Sequence, residues 1–139
     1  MLEVNVVHLG EVQFEIEARG HKLVSDQPVA EGGYDEGITP PELLLASLGS
    51  CAAYYAADYL KRQKLATEGT RVRVTAEKKK NPGRLDDFRI EVDAPAVLTA
   101  MQNAGLRNAV ERCLVHNTLT HPPNIEIVLQ QPAKLAGAA

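Results

Sequence analysis

The sequence predicts an α+β fold, and three observations carry that prediction. Short alternating stretches open the chain, one long helix with a strong start signal occupies its middle, and a hairpin followed by a second helix fills the C-terminal half. Such an order leads to antiparallel sheets packed around a central helix.

From Leu2 to about His8, and again from Val12 to Glu17, apolar and polar residues alternate as in half-buried strands, with Gly10 at the turn between them. The stretch His21 to Ser25 continues the meander after Arg19-Gly20. The segment Asp26 to Gly37 holds Pro28, Gly32, Gly33 and Gly37 and reads as a loop. Thr39-Pro40-Pro41-Glu42 then reads as a capping box, and the helix that it starts is expected to run to about Leu65.

Within that helix Leu44, Leu48, Cys51 and Tyr55 share one face, which puts Cys51 on an apolar stripe. Its neighbours are small: Ala46, Ser47, Gly49, Ser50, Ala52 and Ala53 would let another backbone pack closely. Thr70 to Lys78 and Phe88 to Val92 alternate around Asn81-Pro82-Gly83 and form the hairpin, whose basic triplet Lys78-Lys79-Lys80 reads as a solvated end. Leu98 to Leu114 has helical spacing that Gly105 can interrupt, with Cys113 near the last turn. Ile125 to Leu129 is expected to close the sheet. Residues 1–131 are read as a single domain and 132–139 as a frayed tail.

The chain has 139 residues and a formal net charge of −3, so it lacks the positive field that nucleic acid binding requires. No apolar run in MLEVNVVHLGEVQFEIE reaches the length of a signal segment or membrane span, which points to a cytoplasmic protein without membrane association. The two cysteines lack the paired spacing of a zinc site, and neither a metal nor any other cofactor is indicated. In a reducing compartment they are inert core thiols or a redox pair.

The run GGYDEGITPPELLLASLGSCAAYYAADYL, the later AVERCLVHNTL and the terminal PPNIEIVL together resemble the OsmC/Ohr family along nearly the whole chain. That resemblance implies an OsmC-like fold and an intertwined homodimer with active sites at the subunit interface. It also implies thiol peroxidase activity on organic hydroperoxides, with Cys51 as the peroxidatic and Cys113 as the resolving cysteine. The cycle would pass through a sulfenic acid and a disulfide, and a dithiol reductant would reset it. Leu44, Leu48 and Tyr55 beside the thiol then suit an alkyl or lipid hydroperoxide.

Two features depart from the family's peroxidases. Their glutamate ten residues before the reactive cysteine is Pro41 here, with Glu42 next to it as the candidate carboxylate. Their N-terminal arginine loop is absent, and Arg19 is the early arginine that remains. The sequence is closer to the general OsmC-like branch, with Arg-Gly-His, Asp-Gln-Pro, Gly-Gly and Glu-Leu-Leu-Leu before the first cysteine. His116, one turn after Cys113, is a candidate proton donor. The competing reading is an OsmC-like protein without efficient peroxidase activity that binds an apolar small molecule at the dimer interface. A Cys-His acyl-transfer enzyme is a third possibility, but no orienting partner marks it.

Overall fold

The computed structural model describes residues 1–133. Strands β1 (Asn5–Gly10), β2 (Gln13–Ala18) and β3 (His21–Ser25) form an antiparallel meander in the order β1-β2-β3. Val6 faces Ile16 across one ladder and Ile16 faces Leu23 across the next, so the alternation of the sequence produces one continuous apolar row. A short 3-10 turn at Val29–Glu31 lies in the following loop.

Helix α1 (Pro40–Arg62) starts where the sequence places it. The Thr39 hydroxyl accepts from the Glu42 amide, while the Glu42 carboxylate accepts from the Thr39 amide at 2.7 Å, which completes the capping box. Lys61 and Arg62 occupy the last turn, where cations suit the helix dipole. The helix ends three residues before Leu65.

Strands β4 (Arg71–Lys79) and β5 (Arg84–Asp93) form the hairpin, and α1 packs on it through Val72, Ile90 and Val92. The seam that α1 buries is Leu48, Ala52, Ala56 and Leu60, at i+4 spacing. This corrects the expected stripe: Leu44 is exposed, and Cys51 and Tyr55 flank the seam half-buried instead of forming it. Alanines win the central places because only small side chains let α1 approach both the sheet and α2.

Helix α2 (Ala100–Glu111) carries its own capping box, in which Thr99 accepts from the Gln102 amide and Gln102 accepts from the Thr99 amide. It runs through Gly105 unbroken, so the interruption that the sequence left open does not occur. The reason is packing: a Cβ at Gly105 would collide with the Tyr59 ring, so glycine admits that ring against the helix. Gly105→Ala is expected to destabilise the fold by about 1–2 kcal/mol despite its better helix propensity, because overpacking outweighs the backbone gain. Urea unfolding checks it, and a wild-type or higher midpoint would show that the ring moves freely.

A separate helix, α3 (Leu114–Thr120), follows, where the sequence pattern ended its helix at Leu114 and gave no further one. Arg112 ends α2 and Cys113 caps α3, so the second cysteine sits at the joint between two helices. Beyond α3 the expected closing strand is not formed: Ile125 to Leu129 is unpaired, and Ile125 and Ile127 are 79% and 82% exposed. The expected frayed tail lies outside the described residues from 134 onward.

Candidate active site

The dithiol is assembled by two elements distant in sequence. Cys51 projects from the middle of α1, and the α2–α3 joint brings Cys113 into its neighbourhood. Both cysteines are free. Cys51 is half-buried, whereas Cys113 is fully buried.

Burial, and then the neighbouring Cys51 thiol, push the Cys113 thiol above its ordinary pKa. The amides of His116 and Val115 pull the other way, and the His116 amide donates to the Cys113 sulfur at 3.5 Å. The net shift favours the protonated form of the Cys113 thiol. The His116 ring lies alongside with its Nδ1 buried and without a partner, the one such side-chain atom among the described residues.

The other predicted site residues divide. Leu44 and Leu48 line an open groove of about 1070 Å³ between α1, the start of β5, α2 and α3. Tyr55 lies outside that groove and packs edge-on against Tyr54, with ring centroids 5.4 Å apart. Glu42 is not brought to the thiols within the chain. Nine residues of helix place it roughly 13 Å along the axis from Cys51. Hydrogen bonds from the Thr39 amide and hydroxyl hold its carboxyl below the usual range. Arg19 sits exposed at the β2–β3 turn.

Sequence reasoning missed the residue that organises the loop ahead of α1. Asp26 is fully buried at the end of β3, and its carboxylate accepts from the Gln27, Tyr34 and Glu36 amides and from the Gln13 side chain. A Cβ at Gly33 would strike the Gln27 carbonyl, and one at Gly37 the Val24 carbonyl, so both glycines are needed for the loop to fold over the aspartate. The signal was present as Asp-Gln-Pro followed by Gly-Gly, but a buried aspartate is rare enough that a polar loop residue was the default reading.

Among the described residues no group of three or more His, Cys, Asp or Glu could hold a metal ion, and no helix is long and apolar enough to cross a membrane. No curated protein matches the chain. Solved structures do. A protein from Psychrobacter arcticus described as an osmotic stress induced and detoxification response protein shares 22% identity at a TM-score of 0.78, over 88% of this chain and 90% of that one. An OsmC-like protein from Mycoplasma pneumoniae shares 18% at 0.72, over 88% and 89%. An organic hydroperoxide resistance protein from Elizabethkingia anophelis shares 19% at 0.60, again over 88% and 89%. At these identities the likeness establishes the α+β fold of antiparallel sheets and a long helix. The sequence model of the OsmC-like proteins matches residues 33–128, a span that contains both cysteines, and the chain therefore belongs to the OsmC-like protein family.

Proposed function

We propose that this protein is a thiol-dependent peroxidase that reduces organic hydroperoxides through Cys51 and Cys113. The observation that carries this reading is the asymmetric thiol pair: a half-buried Cys51 with a fully buried Cys113 near enough to influence its titration. The Cys51 thiolate attacks the terminal peroxide oxygen, the O–O bond breaks, and the departing alkoxide takes a proton to leave as an alcohol. The Cys51 sulfenic acid then condenses with the Cys113 thiol, which releases water and forms the disulfide. A dithiol reductant supplies two electrons and two protons to restore both thiols. A family that includes structures named for hydroperoxide resistance supports the choice of oxidant. One equivalent of cumene hydroperoxide should convert the reduced chain into a Cys51–Cys113 disulfide, two mass units lighter by mass spectrometry. A chain that keeps both thiols would overturn the reading.

The working form in this reading is a homodimer in the cytoplasm, where reduced thiols persist. The accessible surface of the chain is 11190 Å², against roughly 7,100 Å² for a closed monomer of this size. The excess has an evident location. The meander barely packs on α1 or the hairpin, and Val6, Phe14 and Leu23 of its apolar row are left exposed around a half-buried Ile16, as is Ile125 to Leu129. Sedimentation at micromolar concentration is expected to show a two-chain species, and a stable folded monomer would remove this part of the proposal. The exposed side of Cys51 then faces the interface, where Arg19 of the second copy is the candidate cation.

The second reading, a binding protein for an apolar molecule, is favoured by the groove lined by Leu44, Leu48, Leu106 and Val110, which exists whether or not the thiols turn over.

A further inference from the structure

We propose that His116 is the acid and base that serves Cys113: its ring takes the proton from the buried thiol when the disulfide closes and returns one to the Cys113 sulfur when the disulfide opens. The closing step rests on the peroxidase reading, whereas the opening step needs only a disulfide between the two cysteines.

Burial sets a requirement on a thiol that cycles. Cys113 is 0% exposed, so water does not reach its sulfur, yet that sulfur must lose a proton to form a disulfide and regain one when it is released. Cys51 cannot carry the proton, because its own sulfur is the one being bonded. Another group has to connect the buried sulfur to solvent.

The start of α3 holds such a group. Three helices of this chain begin with the same arrangement, an N-cap side chain that accepts from the amide three residues on: Thr39 from Glu42, Thr99 from Gln102, and Cys113 from His116, the last at 3.5 Å. In the first two, the side chain of that third residue reaches back and accepts from the N-cap amide. At α3 this amide is already taken, since the Cys113 N–H donates to the Val110 carbonyl at 3.0 Å. Helical side chains lean toward the N-terminus of their helix, so the His116 ring is directed back over the cysteine with no cap to complete. Its Nδ1 is buried there without a partner among the described residues. The residue as a whole is half-buried and lines the groove, so the ring spans from the buried joint to open solvent.

The other ionisable groups around the ring do not fit this task. Arg84 and Asp86 on β5 and Arg107 and Glu111 on α2 share the groove wall with His116, and Arg84 is bound to Asp86 at 2.7 Å. On α3 itself, His121 is exposed with its Nδ1 against the Asn117 carbonyl, and on α1 Cys51 is the reaction partner. In the closing step the His116 ring removes the thiol proton, the Cys113 sulfur attacks the sulfenic sulfur of Cys51, and the S–O bond breaks. The expelled hydroxide takes up a proton and leaves as water. In the opening step a reductant thiolate attacks the Cys51 sulfur, the S–S bond breaks, and its electron pair stays on Cys113, which takes the proton of the ring. The second thiol of the reductant then displaces Cys51 and ends in a disulfide of its own. Acid assistance is worth most to a poor leaving group, and Cys113, whose thiol holds its proton tightly, is one.

The opening step is tested on the full-length protein with a disulfide made by diamide, so that no peroxide is needed. Its reduction by dithiothreitol is followed by stopped flow, and each rate is divided by the concentration of dithiothreitol thiolate. For the wild type this normalised rate should fall about tenfold or more from about pH 5.5 to about pH 8.5, the range over which an imidazole gives up its proton. His116→Gln keeps the backbone bond to the sulfur and removes only the ring, so it should be roughly tenfold slower at the acid end and flat across the range. His116→Asn carries the same expectation if the glutamine variant does not fold. Glu111→Gln, which removes a carboxylate from the groove wall, should keep the wild-type profile. A flat wild-type profile, a slope that survives loss of the ring, a slope lost with Glu111→Gln, or no disulfide with diamide would overturn the proposal. Cumene hydroperoxide is added to the reduced protein in parallel. Thiols that survive it, beside the expected profile, sink the peroxidase reading and keep the role of His116 in the opening step, while a peroxide-made disulfide beside a flat profile does the reverse.

Discussion

Cys51→Ser is expected to lower hydroperoxide reduction by roughly three orders of magnitude or more, because the hydroxyl that replaces the thiol neither ionises near neutrality nor attacks a peroxide. Cys113→Ser should behave differently. Its Cys51 should consume one equivalent of hydroperoxide and stop at the sulfenic acid, since a serine at 113 cannot close a disulfide. A sulfenic acid trap such as dimedone should label Cys51 in that variant and leave the wild type largely unlabelled. Rapid-mixing traces should show a single burst for Cys113→Ser and sustained turnover for the wild type. If both variants turn over like the wild type, the thiols are packing residues and the groove reading takes precedence.

The second large effect is expected at Asp26. Asn is nearly isosteric, but its amide replaces one acceptor oxygen with a donor, and every partner of the Asp26 carboxylate is itself a donor. Either orientation leaves a buried N–H facing an NH2 group. Asp26→Asn is expected to lower the melting temperature by roughly 5–10 °C at matched protein concentration. The pH dependence has a definite sign. Burial pushes the Asp26 pKa up, but the hydrogen bonds from Gln27, Glu36, Gln13 and Tyr34 outweigh it and hold the folded value below the ordinary one. The unfolded chain therefore takes up this proton more readily. The stabilisation is complete above about pH 4, where an unfolded aspartate is ionised, and is lost as pH falls through the lower folded value. The gap between wild type and Asp26→Asn should accordingly be widest near neutrality and close in acid. A constant gap from pH 7 to pH 3 would mean that the carboxylate charge is not what holds the loop.

Local signals were legible in the sequence, and signals that depend on distant packing were not. The capping box at Thr39 and Glu42, the meander and the hairpin each follow from a few adjacent residues, and each is present within two or three residues of where the pattern puts it, apart from the start of β5. Gly105 misled because its local propensity argues for a break while its actual neighbour is Tyr59, more than forty residues away. The Leu44–Leu48–Cys51–Tyr55 stripe was a fair reading of periodicity, but the periodicity of leucines and tyrosines hides that alanines form the true seam. At the site, the two cysteines were visible from family motifs, whereas their proximity needed the α2–α3 joint, which no periodicity marks. The buried role of Asp26 was concealed by the polar loop around it. The Ile125 to Leu129 alternation gave a strand signal, yet the chain by itself offers that stretch no edge to join, so a pattern true of an assembly cannot be fulfilled by one copy.

The full burial of Cys113 dictates how the enzyme would be reset. Once the disulfide has formed, an incoming reductant meets only the sulfur of Cys51, because the other is covered on every side. The mixed disulfide must therefore form on Cys51, with Cys113 as the group expelled. Expulsion is slow when the departing sulfur holds its proton tightly, as Cys113 does. The reductive half of the cycle is then the bottleneck, and the protein should accumulate in its oxidised form under sustained peroxide load, so that the fraction oxidised tracks the supply of reductant.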